Sequence, residues 1–240
     1  MGTIRTIEHL LAGLRPDHSP SLIWYGPDGE RVELSGRVLD NWVAKTANLL
    51  TEELDAGAGT VVRLEMAPHW RGIVWALATW QAGATLSTGG GAAADIVVTS
   101  DPHAAGGERP AQAQLVAVAP GALQLRWDGE LPAGAIAYAA EVRAFADFFA
   151  DAAEPDPDGT ALDHQGGRIS YGALLPQEAA AGTSGGQERR NLLLPASAGW
   201  PAVLSESPAT WLAGGTVVMV HPDVEVTGRL LESERISVRL

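Results

Sequence analysis

Residues 158–175 read DGTALDHQGGRISYGALL, and the fold turns on how they are taken. The layout is a polar, glycine-bearing loop, a short β-like run over Arg168, Ile169, Ser170 and Tyr171, and then a helix start. Such loops hold anions when successive backbone N–H groups form a concavity that a lysine or hydroxyl closes. The side chains here run against that use. Asp158 and Asp163 are negative, and Gln165 stands where a cation would help.

Outward from this stretch the pattern alternates between strand and helix. Downstream, the spacing predicts a helix over 173–181, a solvated turn over 182–190 and a buried strand over 191–194. A helix over 203–212 follows, stopped by Gly214-Gly215, then a strand over 216–220, a helix over 224–234 and a last strand over 236–240. That final strand either seals a sheet edge or docks something.

Upstream, Ile4, Ile7, Leu10, Leu11 and Leu14 predict a helix over 3–14 that ends before Pro16. Two apolar runs flank Gly26-Pro27-Asp28-Gly29, which reads as a hairpin turn. Ser35 suits the cap of a helix whose apolar face carries Leu39, Trp42, Val43, Thr46, Leu49, Leu50 and Leu54. Lys45 falls off that face, onto an expected solvated surface. A strand over 61–66, a helix entered through Pro68 and closed by Gly83, and a strand over 95–99 imply a parallel pair. The tract 87–94, STGGGAAA, reads as a loop. Strands are expected at LVAVA (115–119) and ALQLRW (122–127), and a helix over 138–150. The expected class is α/β, with a mixed, largely parallel sheet and flanking helices.

Composition narrows the function. The 240 residues carry a net charge of −13, so no basic stripe offers itself to nucleic acid or to an anionic membrane surface. Fifteen arginines accompany a single lysine, Lys45, so any step that needs a lysine must use that one or borrow another. The absence of cysteine excludes disulfides, thiol catalysis and cysteine-ligated zinc. No run has the length of a signal-peptide core or a membrane span, and a cytoplasmic protein is expected.

Three segments together resemble the N-terminal half of the adenylate-forming (AMP-binding, acyl-CoA synthetase-like) superfamily. The first runs from LIWYGPDGERVEL to WQAGATL (22–86), the second is 158–175, and the third is ATWLAGGTVVMVHPDVEVTGRLLESERISVRL (209–240). The form also resembles a small actinobacterial family of shortened AMP-binding-like proteins. The superfamily's phosphate loop reads Ser-Gly-Thr-Thr-Gly-x-Pro-Lys-Gly. Laid on this chain without a gap, Gly159, Thr160 and Gly166 match, whereas Asp158 replaces the serine, Ala161 the second threonine, Leu162 the glycine, His164 the proline and Gln165 the lysine.

The resemblance implies one shortened N-terminal domain over 1–240, with a sub-division near 150–158. Its nucleotide-loop remnant comprises Asp158, Gly159, Thr160, Gln165, Gly166 and Arg168. No catalytic residue, metal ligand or cofactor is expected, beyond a vestigial affinity for ATP or AMP. A lysine about 4 Å from a phosphate contributes roughly 1–4 kcal/mol, and an aspartate there opposes binding by as much. The expected role is therefore non-catalytic binding of a small molecule or a protein, with self-association or a partner covering the face that a missing half would occupy. The alternatives are one half of a split acyl-adenylating enzyme completed by another chain, and a scaffold domain without ligand.

Other constellations carry less. The six histidines are scattered and suit surface or packing roles. No Gly-x-Ser-x-Gly elbow occurs, and Gly57-Ala58-Gly59 precedes a strand rather than following one. Asp156, Asp158 and Asp163 lack the spacing of a calcium loop. Trp127 and Trp200, beside Gly and Pro turns, are the tryptophans best placed for a ligand or partner.

Overall fold

The computed structural model describes residues 6–89, 93–108, 110–122, 124–150, 154–176 and 189–240. Helix α1 (Ile7–Leu14) starts at Thr6, whose hydroxyl accepts the His9 amide at 3.2 Å, and buries Ile7, Leu10, Leu11 and Leu14. Strands β1 (Pro20–Tyr25) and β2 (Arg31–Ser35) form the expected hairpin. Its turn uses positive φ at Asp28 (58°) and Gly29 (78°). The Ser35 hydroxyl accepts the Val38 amide at 3.4 Å at the start of α2 (Gly36–Asn48).

Strand β3 (Val61–Glu65), α3 (Trp70–Gln81), β4 (Thr85–Ser87) and β5 (Ile96–Thr99) come next. They are followed by α4 (Pro102–Glu108), β6 (Gln114–Ala117), β7 (Ile136–Ala137) and α5 (Tyr138–Glu141). The chain continues through β8 (Thr160–His164), β9 (Gly167–Ser170), β10 (Asn191–Pro195), α6 (Gly199–Leu212), β11 (Thr216–Val220), α7 (Gly228–Ser233) and β12 (Ile236–Arg239).

These elements fall into two compact units. The first comprises residues 1–40, 67–70 and 175–240, and the second 41–66 and 71–174. The sub-division expected near 150–158 lies inside the second unit. The first unit's sheet has the order β12-β10-β11-β1-β2, parallel except for the β1–β2 hairpin. Its central strand β11 is buried at all five positions, as its near-continuous apolar sequence TVVMV suits. Two side chains lock β1 to its surroundings. Trp211 Nε1 donates to the Ser21 carbonyl at 2.8 Å, and the Thr216 hydroxyl donates to the Pro20 carbonyl at 2.7 Å.

The second unit's sheet has the order β7-β6-β5-β3-β4-β8-β9. Counted from β3, five of its strands follow the doubly wound order 2-1-3-4-5, with the β8–β9 hairpin added outside β4. The pairing of β3 with β5 is parallel, as read from the sequence. Strand β4 is a departure. It takes the first residue of the expected 87–94 loop and pairs on the other side of β3, and at three residues it is too short to show a period.

Further expectations change. Residues 122–127 hold no strand among those described. The helix expected over 138–150 ends early, as α5 and one tight turn over Val142–Ala144. The reason is competition for carbonyls: Lys45 Nζ donates to Phe145 O, and Asn48 Nδ2 donates to Ala146 O (3.0 Å) and Phe148 O (2.9 Å). Lys45 is thus half-buried and engaged rather than solvated. The helix expected from 224 begins at Gly228, because the Thr227 hydroxyl caps it by accepting the Leu230 amide at 3.2 Å. The helix expected over 173–181 begins as a short turn over Tyr171–Ala173, and its continuation past 176, like most of the 182–190 turn, lies outside the described residues.

In the second unit's core, Tyr138 is fully buried against Trp75, with ring centroids 5.1 Å apart and its hydroxyl 2.7 Å from Thr46 Oγ1. Burial pushes its ionisation up from 10.0 to about 12, although the Thr46 hydrogen bond and the Arg71 charge oppose that. Burial raises Tyr171 as well. A tyrosine held neutral by the fold ionises first in the unfolded chain, so its stabilisation is complete below pH 10 and is lost from there to about 12. For Tyr138 that loss amounts to about 3 kcal/mol. Phenolate absorbance and circular dichroism across this range should show the second unit unfolding as the phenol ionises.

Candidate functional site

The stretch 158–175 is organised around a hairpin. Strand β8 occupies positions read as loop, and the register pairs His164 with Gly167, leaving only Gln165 and Gly166 as the turn. Asp158 and Gly159 sit before β8 and Gln165 and Gly166 after it. Five strand residues at about 3.3 Å each set the two turns roughly 16 Å apart. The six candidate residues therefore do not line one concavity.

Three of their backbone donors are also engaged. The Asp158 amide donates to Asp156 Oδ1 (3.0 Å), the Gly159 amide to Asp156 O (2.9 Å), and the Gly166 amide to His164 Nδ1 (3.0 Å). Thr160 lies in β8, where its carbonyl accepts the Thr85 hydroxyl at 2.7 Å. Two further bonds anchor this segment. Trp80 Nε1 donates to Ala161 O (2.9 Å), and the Tyr171 hydroxyl donates to Ala84 O (2.7 Å).

What the fold brings together is a different set. Register partners run across the sheet as Leu115, Val97, Arg63, Ser87, Asp163 and Arg168, one from each of β6, β5, β3, β4, β8 and β9. Partners in register share a face. The row is therefore apolar at β6 and β5 and polar from β3 outward. At its polar end lies a cavity of about 370 Å³, lined by Val61, Ser87, Gly89, Ala93, Asp163, His164, Gln165 and Arg168. That volume is in the range of small-molecule sites.

The chemistry of the lining is mixed. Asp163 and Arg168 pair at 3.4 Å (Oδ2 to Nε), longer than a charge-assisted hydrogen bond. His164 Nδ1 accepts the Gly166 amide at 3.0 Å. Ser87 Oγ lies 3.4 Å from the Gly89 carbonyl. Arg63 is tied to Glu65 at 2.6 Å.

Gln165 and Arg168 are thus the two sequence candidates that reach the cavity. Asp163 and His164 belong with them through strand pairing, while Ser87 and Gly89 were hidden because nothing local marks β4, and Val61 and Ala93 carry no chemistry that singles them out. No group of three or more metal-ligating side chains occurs among the described residues. Trp200 is buried, so its expected exposure to a ligand is corrected, whereas Trp127 is half-buried. His69 packs edge-on against Trp24 with centroids 4.6 Å apart.

No family model matches the chain. A TIGR03089 family protein of Mycobacterium tuberculosis is 29% identical over 232 residues, spanning 93% of both chains. Among solved structures, acetoacetyl-CoA synthetase from Streptomyces lividans matches with a TM-score of 0.73 at 18% identity, over 99% of this chain and 42% of that one. The fold is that of the N-terminal part of adenylate-forming synthetases. Brucella canis acyl-CoA synthetase matches at a TM-score of 0.68 and 16% identity, over 95% of this chain and 46% of its own. The Klebsiella oxytoca NpsA N-terminal subdomain, solved with 3-hydroxybenzoyl-AMSN, matches at 0.63 and 16%, over 99% and 59%. The chain spans less than half the length of the two synthetases and nearly all of the mycobacterial relative. No helix among the described residues is long and apolar enough to cross a membrane.

Proposed function

We propose that this chain is a small-molecule-binding domain built on the adenylate-forming fold, and that it does not itself join an acyl group to ATP. The observation that carries this reading is the turn after β8. It has two residues, the Gly166 amide already donates to His164, and the single lysine serves a backbone carbonyl elsewhere. Triphosphate transfer depends on cations and amide donors aimed at the developing charge. The cavity beside the turn offers one guanidinium, already paired with a carboxylate.

Binding remains as the role such a cavity can fill. Pyrophosphate exchange into ATP, measured on purified protein with a panel of carboxylic acids, is expected to stay at the buffer background. Millimolar ATP is expected to leave the thermal midpoint unmoved, since only a ligand that binds the folded state raises it. Sustained acid-dependent exchange by protein free of contaminating ligases overturns the proposal.

A further inference from the structure

Resting on that binding role, we infer that the cavity at the ends of β4 and β8 takes a small organic cation, an alkylammonium ion, seated on Asp163. Asp163 projects from the middle of the polar row, between Ser87 and Arg168, with its side chain only 30% exposed. None of the described residues donates a hydrogen bond to its carboxylate, since the 3.4 Å contact with Arg168 is an ion pair only. A carboxylate accepts several donors, and an ammonium group supplies three.

The neighbouring groups favour the same ligand. Arg168 is 73% exposed and can give way to solvent, whereas Asp163 is held in a strand paired on both sides. Arg63, the next cation along the row, is committed to Glu65. His164 Nδ1 is already engaged by the Gly166 amide at 3.0 Å. Val61 and Ala93 give the alkyl part an apolar wall. The net charge of −13 favours cations over anions near the surface.

The test is calorimetric titration of the intact chain at low salt with n-butylammonium, sodium butyrate and n-butanol, which share a length and differ in charge. Butylammonium is expected to bind best. Asp163→Asn, nearly isosteric, should weaken it about tenfold or more, and Arg168→Gln should tighten it by removing a competing cation. The Arg168 effect has the opposite sign for an anion site, so the two variants decide the matter together. Unchanged melting midpoints confirm that both variants fold. Preference for butyrate, or indifference to Asp163→Asn, or weaker amine binding in Arg168→Gln, overturns the inference. The exchange assay reads the function separately. Acyl-adenylate formation together with Asp163-dependent amine binding removes the proposed function and leaves this site standing. Absence of both removes only the amine.

Discussion

Arg71→Ala is expected to destabilise the second unit by about 3–5 kcal/mol, the cost of breaking a buried charged hydrogen-bonded group. Arg71 enters on the first turn of α3 and is 2% exposed. Its guanidinium donates to Ala119 O, to Gly121 O at 2.9 Å and to Ala122 O at 3.3 Å. Those carbonyls lie just past β6, where no strand or helix among the described residues collects them. Alanine leaves the three acceptors without this donor and opens a cavity as well. Urea melts followed by circular dichroism should show the loss, and Arg71→Lys should recover only part of it, because an ammonium lacks the planar fork that spans separated carbonyls. A variant within about 0.5 kcal/mol of the parent, the usual range of a surface change, would show that Arg71 clamps nothing.

Gly215→Ala is the second large effect, expected at about 3 kcal/mol in the first unit as overpacking against backbone. A Cβ on Gly215 would stand within 3.0 Å of the Arg190 carbonyl oxygen and 2.9 Å from Thr210 Cγ2. The Gly215 amide is fixed by a 2.9 Å bond to the Thr210 carbonyl that closes α6. The residue therefore cannot retreat without pulling β11 out of register with β10. The adjacent Gly214 acts differently: its φ of 73° needs glycine for conformation, and a Cβ there meets nothing within 4 Å. Gly214→Asn should thus be tolerated far better than Gly215→Ala, since asparagine visits the left-handed region. Thermal midpoints of the two variants compare them directly.

The pair shows how far local sequence reaches. Gly214-Gly215 announces a helix stop to any reader, but nothing in the letters says that the second glycine answers to a carbonyl from another strand. The same division runs through the 158–175 stretch. Its glycines and alternation mark a turn and a strand, and the class of fold follows. That the turn is Gln165-Gly166 rather than the whole run from Asp158 depends on β8 pairing with β9 on one side and with β4 on the other, and β4 is three residues that carry no period of their own.

By itself, the sequence determined the alternation of most helices with the longer strands, the β1–β2 hairpin, the parallel β3–β5 pair and the poverty in lysine. These follow from apolar spacing, turn chemistry and composition, all of which act between near neighbours. Tertiary structure alone decided the rest. It ended the 138–150 helix by giving its carbonyls to Lys45 and Asn48, separated Asp158 from Gln165, and aligned Ser87, Asp163 and Arg168 in one row beside a cavity. Strand register and captured carbonyls join residues far apart in the chain, and pairing energy of that kind leaves no period in the sequence to be read.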